Sequence, residues 1–350
     1  MELFTEADSY PHSRFQCPAC YVELFDLATR VSDDMDVLKY VMGYYAQPWY
    51  DMGYINKHEK NLDLYDEIKE VFGDKKATGI RIYEEMRTIR DTDLPDHFKG
   101  ENQIMERWVS QASVIPTSVA IPTTYAGTGI FGMAFGENAK YLPESAFEKG
   151  LVLDLKAAEI LQEKGIDVGL LKIGEAIPNA VERFDEYKTS TFLGDCIGYD
   201  IEINENTRVL SEFLMQEKTC PSVYLYENAY GQRFMVYAFK IEEMWCQSGT
   251  LLSYCRGMQL NDCAMWLGGK NFPVVCNNHP KLYCICKEGE KKVAAAYFNC
   301  HPDEIENAEI KTEHKIEKIR FINCSGKVVD GNITIDYIKP YGFAAVEFAK

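Results

Sequence analysis

The feature that most constrains the fold of this 350-residue chain is a change in hydrophobic pattern near position 177. Before it, short apolar runs alternate with amphipathic segments, as in LVLD followed by LKAAEILQEKG. After it, strand-like runs come in pairs joined by turn residues, as in SVYLYENAYGQRFMVYAF. Alternating strands and helices are typical of parallel sheets, whereas paired strands with tight turns are typical of antiparallel sheets. The sequence therefore predicts a multidomain α/β plus all-β protein.

The first 75 residues contain two βα units. The run FTEADSYP ends a strand, and apolar residues then recur at helical spacing from Pro18 to Val31. A second strand, LKYVMGYY, is followed by another helical stripe that extends from Asn56 to Phe72 and stops before Gly73. The order strand, helix, strand, helix favours parallel pairing of the two strands.

Two further blocks follow this segment. In the first, the strands TGIRIYEEM, SVAIPTTY, IFGMAFGEN and GLVLD alternate with the helices IMERWVSQASV and LKAAEILQEKG, which predicts a parallel α/β domain. In the second, hairpins such as KLYCICKEGEKKVAAAYFNC predict a mainly antiparallel domain, most simply a β-sandwich, with TLLSYCRGMQLNDCAMWLGG as its one helix. The predicted domains are 1–76, 77–176 and 177–350.

Charge and composition exclude several classes of partner. The balance of 37 basic against 54 acidic residues gives a net charge of −17, which repels nucleic acid and anionic membrane surfaces. No run approaches the roughly 20 apolar residues of a membrane span, and the start MELFTEADSY lacks a signal-peptide pattern. Twelve scattered cysteines are typical of reduced thiols, so we expect a cytoplasmic protein. No cofactor is predicted.

Carboxylates and aromatic residues are concentrated near the N-terminus. Glu6 and Asp8 stand at the end of the first strand, and five tyrosines and a tryptophan fall between Tyr40 and Tyr54. Sugar rings stack on aromatic side chains, while carboxyl groups act on the glycosidic oxygen and the anomeric carbon. This combination predicts a carbohydrate partner, although the same carboxylates also suit a plain solvated loop. Strand alternation sends some of the tyrosines to the opposite face, where they would pack in a core.

Several phrases resemble the C-terminal part of bacterial multidomain glycoside hydrolases with the layout of family 42 β-galactosidases. They are FTEADSYPHSR, YVELFDLATR, LKYVMGYY, FGENAKYL, KGLVLDLKAAEILQEKGIDVGL and IKPYGFAAVEFA. The resemblance implies the terminal βα units of an incomplete (β/α)8 barrel, then a parallel amidotransferase-like domain, then an antiparallel β-sandwich. It places FTEADSYP at the seventh barrel strand and LKYVMGYY at the eighth.

The same resemblance implies the roles of individual residues. Glu6 would be the nucleophile, and the substrate-binding candidates are Asp8, Arg14, Tyr44, Trp49 and Tyr50. The acid/base glutamate of such barrels follows strand four, which this chain does not contain. Retaining hydrolysis needs two carboxyl groups about 5 Å apart. We therefore expect this C-terminal part of a retaining β-glycosidase to be inactive alone, unless an upstream segment or second chain completes the barrel.

Two alternatives remain open from the sequence. The chain could be a non-catalytic carbohydrate-binding or oligomerisation module that forms a homo-oligomer. The pair Cys17 and Cys20 in CPAC could also be a redox or zinc pair, although zinc would need two more ligands and no second pair stands at useful spacing. No metal site is predicted.

Overall fold

The computed structural model is a mixed α/β protein with several sheets. It describes residues 4–7, 16–32, 36–39, 51–85, 87–88, 114–127, 129–192, 197–215, 218–241, 251, 253–276, 278–279 and 282–350, of which 4–7, 36–39 and 191–192 are described by their backbone. Within these ranges, no helix has the length and apolar character that crossing a membrane requires.

The helices and strands alternate early in the chain, and strands dominate later. The helices are α1 Ala19–Ser32, α2 Gly53–Lys60, α3 Leu62–Phe72, α4 Val114–Thr117, α5 Leu155–Glu163 and α6 Tyr254–Gly268. The strands up to position 203 are β1 Phe4–Ala7, β2 Asp36–Lys39, β3 Lys76–Thr78, β4 Ile80–Ile82, β5 Thr123–Thr124, β6 Gly132–Ala134, β7 Leu151–Asp154, β8 Leu170–Pro178, β9 Val181–Phe184, β10 Thr189–Phe192 and β11 Ile197–Ile203. The later strands are β12 Arg208–Leu214, β13 Thr219–Glu227, β14 Arg233–Tyr237, β15 Val275–Cys276, β16 Leu282–Glu288, β17 Lys292–Asn299, β18 Ile305–Lys311, β19 Ile319–Ile322, β20 Gly326–Val329, β21 Asn332–Ile338 and β22 Phe343–Ala349.

The chain divides into two compact units, each made of segments that are distant in sequence. Unit 1 comprises Met1–Thr78, Val119–Pro122 and Pro273–Lys350, and unit 2 comprises Gly79–Ser118 and Thr123–Phe272. The three domains expected from the sequence, 1–76, 77–176 and 177–350, stay a prediction.

In unit 1, β1 and β2 pair in parallel and α1 connects them. This confirms the predicted βαβ order. Further along the chain, a five-stranded sheet in the order β19-β22-β17-β16-β3 faces a four-stranded sheet in the order β15-β18-β21-β20. Buried side chains from both sheets, including Cys284, Val346, Ile310 and Ile333, form one core between them. This part of the chain is therefore an antiparallel sandwich.

Helices α1 and α3 cover the other face of the five-stranded sheet. Leu27 of α1 and Ile68 and Phe72 of α3 share a buried cluster with Ala296 of β17 and Phe343 of β22. The apolar residues that predicted α1 only partly form its packed face, because Leu24 and Val31 are buried whereas Tyr21 and Phe25 are 54% and 50% exposed. Unit 1 consequently has two apolar layers, one on each side of the five-stranded sheet.

Unit 2 is built on a nine-stranded sheet in the order β10-β9-β12-β13-β14-β7-β6-β4-β5. Strands β7, β6, β4 and β5 pair in parallel with one another, as expected for the second block of the sequence, and β14 joins them by parallel pairing with β7. The predicted hairpin of β13 and β14 is also present. We expected it in a separate antiparallel domain, but β14 pairs with β7, so the hairpin extends the parallel sheet. The sequence pattern predicts that two strands form a hairpin, but it does not predict which other strand pairs with the outer edge of that hairpin.

Two predicted elements are broken in the structure. The helix expected over Asn56–Phe72 consists of two helices, α2 and α3, which are separated at Asn61. The Asn61 side-chain amide donates a hydrogen bond of 2.6 Å to the Glu23 carboxylate of α1. The strand expected in TGIRIYEEM is interrupted at Gly79, where φ is 130°. Consequently β3 joins the five-stranded sheet and β4 joins the nine-stranded sheet.

Candidate functional site

The candidate site lies where β1 and β2 end. Because the strands are parallel, their carboxyl ends share one edge, and the register pairs Glu6 with Leu38 and Ala7 with Lys39. Glu6 is therefore the penultimate residue of β1 at the carboxyl edge of a βαβ unit. Enzymes built from βα units place their catalytic groups at this edge.

The substrate-binding candidates Asp8, Arg14, Tyr44, Trp49 and Tyr50 lie outside the described residues. Asp8 follows β1 directly, and the three aromatic residues belong to the segment between β2 and α2. In the sequence, Arg14 likewise lies between β1 and α1. The roles of these candidates in binding stay predictions.

A small buried cluster joins the starts of α1 and α2. The Tyr54 hydroxyl donates a hydrogen bond of 2.5 Å to the Cys17 carbonyl oxygen, and both residues are buried. Val22 of α1 completes the cluster. The contact therefore joins the residues just before α1 to the first turn of α2. Tyr54 is thus a core residue, as expected from the sequence for some of these tyrosines.

The CPAC pair is divided between two environments. Cys17 is 2% exposed inside the cluster, whereas Cys20 is partly exposed on α1. Among the residues that the structure describes, no group of three or more metal-ligating side chains was found. The redox interpretation of this pair is a prediction that the geometry does not test.

Helix α1 carries two buried carboxylates, Glu23 and Asp26, on its packed face. The Glu23 carboxylate accepts hydrogen bonds from the Asn61 amide at 2.6 Å and from the Tyr65 hydroxyl. The Asp26 carboxylate accepts one of 2.8 Å from Arg30. Burial, and then the hydrogen bond to Glu23, raise the pKa of Tyr65 far above its ordinary value, so its phenol stays neutral. The network fixes α1 against α3.

His58 belongs to the margin of this network. It lies in the last turn of α2. Its Nδ1 is 3.2 Å from the Tyr65 hydroxyl, and the two rings are 5.3 Å apart. The contact makes His58 a packing partner of Tyr65.

Unit 2 contains a second buried polar cluster that the sequence analysis missed. The Arg256 guanidinium of α6 forms an ion pair with Glu182 of β9, and both side chains are fully buried. Ser211 and Ser222 each donate a hydrogen bond of 2.7 Å to the same carboxylate oxygen of Glu182. The aromatic ring of Phe239 lies 5.0 Å from the guanidinium carbon. The cluster is closed to solvent, and it anchors α6 to the nine-stranded sheet.

Asp154 occupies the carboxyl end of β7 in unit 2, a position where catalytic groups are common in α/β proteins. Here its carboxylate accepts hydrogen bonds from three backbone N–H groups, those of Gly136 at 2.8 Å, Ala157 at 2.9 Å and Ile241 at 2.8 Å. The side chain is fully buried and caps α5. Asp154 therefore holds three segments of backbone together, which the pattern LVLD followed by a helix could have indicated.

Comparison with known proteins shows a glycosidase-like fold. No protein-family model matches the sequence, and no curated protein matches it. Among solved structures, α-L-fucosidase isoenzyme 2 from Paenibacillus thiaminolyticus aligns over 94% of this chain and 56% of its own, with a TM-score of 0.60 and 8% identity.

Two β-galactosidases align over a similar share. A catalytic mutant of the GH42 enzyme from G. stearothermophilus aligns over 95% of this chain and 51% of its own, with a TM-score of 0.58 and 9% identity. The enzyme from Bacillus circulans sp. alkalophilus aligns over 95% of this chain and 52% of its own, with a TM-score of 0.55 and 12% identity. The chain thus spans about half the length of the structures it matches. At these identities the likeness concerns the fold.

Proposed function

We propose that this chain is the nucleophile-bearing C-terminal part of a retaining glycoside hydrolase that acts on neutral β-glycosides such as β-galactosides. The observation that carries the proposal is the position of Glu6 at the carboxyl edge of the parallel β1-α1-β2 unit. The glycosidase-like fold supports it, because the neighbours align along nearly the whole chain.

In the proposed reaction, a Glu6 carboxylate oxygen attacks the anomeric carbon and the bond from that carbon to the leaving oxygen breaks. A second carboxyl group gives its proton to the leaving oxygen, and water later hydrolyses the glycosyl ester. The family resemblance assigns the proton donor to the fourth barrel strand, which precedes the part of the barrel represented here. We therefore propose that the chain by itself hydrolyses unactivated glycosides poorly.

The proposed substrate is neutral and hydroxyl-rich. Trp49, Tyr50 and Tyr44 would stack on the sugar ring, while Asp8 and Arg14 would bind its hydroxyl groups. The net charge of −17 disfavours polyanionic sugars as a class. Among the described residues, ten cysteines are free thiols, which fits the proposed cytoplasmic location.

A mechanism-based label tests the role of Glu6 without needing the proton donor. In a 2,4-dinitrophenyl 2-deoxy-2-fluoro-β-galactoside, the dinitrophenolate leaves with its electron pair and needs no protonation, while fluorine slows loss of the sugar. We expect intact-protein mass spectrometry to show one added fluorosugar per chain, and peptide mapping to place it on Glu6. The 2-fluoro-glucoside is the second probe, because it tests the choice of sugar.

The matched variants are Glu6→Gln, which removes the carboxylate, and Glu2→Gln, which removes a neighbouring one. Labelling that disappears in the first and persists in the second supports the proposal. An unlabelled wild type, or a label that survives in Glu6→Gln, would contradict it. The alternative, a non-catalytic carbohydrate-binding module, predicts sugar binding by titration that is equal in wild type and Glu6→Ala and depends on Trp49 or Tyr50.

A further inference from the structure

Unit 1 contains a pocket of about 290 Å³ that the proposed function does not use. One wall is the α1 face with Cys20 and Leu24, and a second is the junction of α2 and α3 around Asn61. The third wall is formed by residues 323–325, which precede β20, and by residues 337–343, which run from the end of β21 to the start of β22. Its volume lies at the small end of the range for ligand pockets in proteins.

The described lining of this pocket is cationic, in contrast to the chain as a whole. Lys57, Lys60 and Lys339 line it, and none of the three has an ion pair or a side-chain hydrogen bond within the described part of the chain. The one carboxylate among the described lining residues belongs to Glu23, which accepts hydrogen bonds from Asn61 and Tyr65. Three ammonium groups that have no ion pair among the described residues surround one cavity, and in a protein of net charge −17 this favours an anionic occupant.

The wall that carries Lys339 is held in a fixed shape. The buried Asn299 amide donates hydrogen bonds to the backbone carbonyls of Lys339 at 3.0 Å and Asp303 at 2.7 Å. A Cβ at position 342 would come within 2.5 Å of the Lys339 carbonyl oxygen, so the close turn requires Gly342. Tyr341, which also lines the pocket, has a φ of 46°, in the left-handed region. Such conformations persist only where the surrounding structure enforces them, so this wall is preorganised.

The pocket surface between the three lysines can contact an organic molecule as well as a charged group. Leu24 and Leu27 of α1 and Leu64 of α3 supply apolar surface. The side chains of Ser325 and Asn323 bring groups that can hydrogen-bond to hydroxyls. A pocket of this composition offers charge at its rim and both apolar and polar contacts inside.

We propose that this pocket binds a small hydroxyl-bearing organic anion of monosaccharide size, with its carboxylate or phosphate between Lys57, Lys60 and Lys339. Carboxylates and phosphate monoesters are both negatively charged, so the lysines could bind either group. The experiment therefore compares one ligand of each kind. The site is independent of Glu6, because no residue of β1 or β2 is among its described lining residues.

Isothermal titration of the full chain tests the proposal with glucuronate, glucose 6-phosphate, inorganic phosphate and neutral glucose. We expect at least one of the two organic anions to bind, with glucose at least about 10-fold weaker because it lacks the charge. Raising the salt from about 0.05 M to about 0.5 M should weaken anion binding. The tighter of the two organic anions identifies the recognised group.

The double variant Lys60→Gln/Lys339→Gln should weaken anion binding by at least about 10-fold, since it removes two of the three charges. Both side chains are exposed and form no ion pair with the residues that the structure describes, so the variant should fold normally. The matched control is Lys69→Gln/Lys327→Gln, which removes two exposed lysines of unit 1 that do not line the pocket, and its affinity should stay within about 2-fold. Equal weakening in both double variants would assign the effect to general charge and overturn the proposal.

Protection of a cysteine from alkylation tests independently whether the ligand binds in this pocket. Cys20 lines the pocket, whereas the exposed Cys300 does not. A bound anion should slow iodoacetamide modification of Cys20, followed by peptide mass spectrometry, and leave Cys300 unchanged. The proposal is overturned if neither organic anion binds up to about 10 mM. It is equally overturned if glucose or inorganic phosphate binds as tightly as they do, or if Cys20 is not protected under saturating ligand.

Discussion

At the scale of single residues, Glu347 of β22 joins two lysines from distant parts of unit 1. Its carboxylate oxygens lie 3.1 Å from the Lys75 ammonium and 2.7 Å from the Lys292 ammonium. Burial by itself would raise the pKa of Glu347, but hydrogen bonds from Lys292 and Lys75 and their charges outweigh it, so the pKa is lowered. The ion pairs therefore stabilise the fold only while Glu347 is ionised.

Substituting Glu347→Gln should lower the free energy of unfolding by about 1–3 kcal/mol near neutral pH, because Lys75 is left buried with a weaker set of partners. A carboxylate with a depressed folded pKa contributes stability above its unfolded pKa of about 4.3, and the contribution is lost as pH falls through the folded value. The difference between variant and wild type should thus shrink as pH falls below about 4. Urea denaturation near pH 7 and near pH 3.5 measures it.

The control for this prediction is Glu309→Gln, an exposed carboxylate of β18 without an ion pair among the described residues. Its effect should stay within about 0.5 kcal/mol at both pH values. If Glu347→Gln lowered the free energy of unfolding equally at both pH values, the destabilisation would come from changed packing and not from the loss of an ionised carboxylate.

The sequence was informative about individual residues where chemistry follows chain position. Glu6 could be placed at the end of a parallel strand because the βαβ order and the strand's limits are local signals. Glu23 could not be identified, because its partners Asn61 and Tyr65 are roughly 40 positions away and are brought to it by packing. The ion pair of Arg256 with Glu182 could not be predicted for the same reason, because the two residues are 74 positions apart in the sequence.

At the scale of elements, amphipathic segments were predicted well and breaks within them were not. Helices α1, α5 and α6 match the predicted segments, because each has an apolar face long enough to specify a helix. The break at Asn61 depends on the attraction of its side chain to α1, which is a tertiary contact. The break at Gly79 has a local signal, a glycine within a β-rich run, which indicates an irregular strand but not that its halves join different sheets.

Gly79 is therefore the position where an element-scale prediction is sharpest. Its φ of 130° is in a region that residues with a Cβ rarely adopt, and it stands between β3 and β4. Gly79→Ala should lower the free energy of unfolding by about 2–4 kcal/mol, because either the backbone is strained or one of the flanking strands must shift. Thermal and urea denaturation followed by circular dichroism would measure the change.

Gly231 in the β13-β14 turn gives a comparison of similar chemistry. Its φ is 75°, and a Cβ there would meet nothing within 4 Å. Gly231→Ala should cost about 1 kcal/mol, the ordinary penalty for alanine in the left-handed region. Equal costs at the two glycines would show that the break between β3 and β4 adds no constraint beyond local backbone strain.

At the scale of the whole molecule, the apolar layers show which distant segments depend on one another. Phe72 of α3 is fully buried with Phe298 of β17 and Phe343 of β22, more than 200 positions later in the chain. Phe234 of β14 is buried within unit 2. Because the cluster that contains Phe72 is made of unit 1 residues, the loss of packing free energy there should first affect the strands that line this cluster.

Phe72→Ala should lower stability by about 3–5 kcal/mol, the usual cost of removing a buried aromatic ring. Hydrogen exchange should show faster exchange in α1, β16, β17 and β22, although these last three strands lie far from position 72 in sequence. Strands β7 and β13 of unit 2 should keep their protection. Phe234→Ala is the reciprocal variant, and it should accelerate exchange in β7 and β13 while β17 and β22 remain protected. Acceleration of all these strands together in both variants would mean that the two units unfold as one cooperative body.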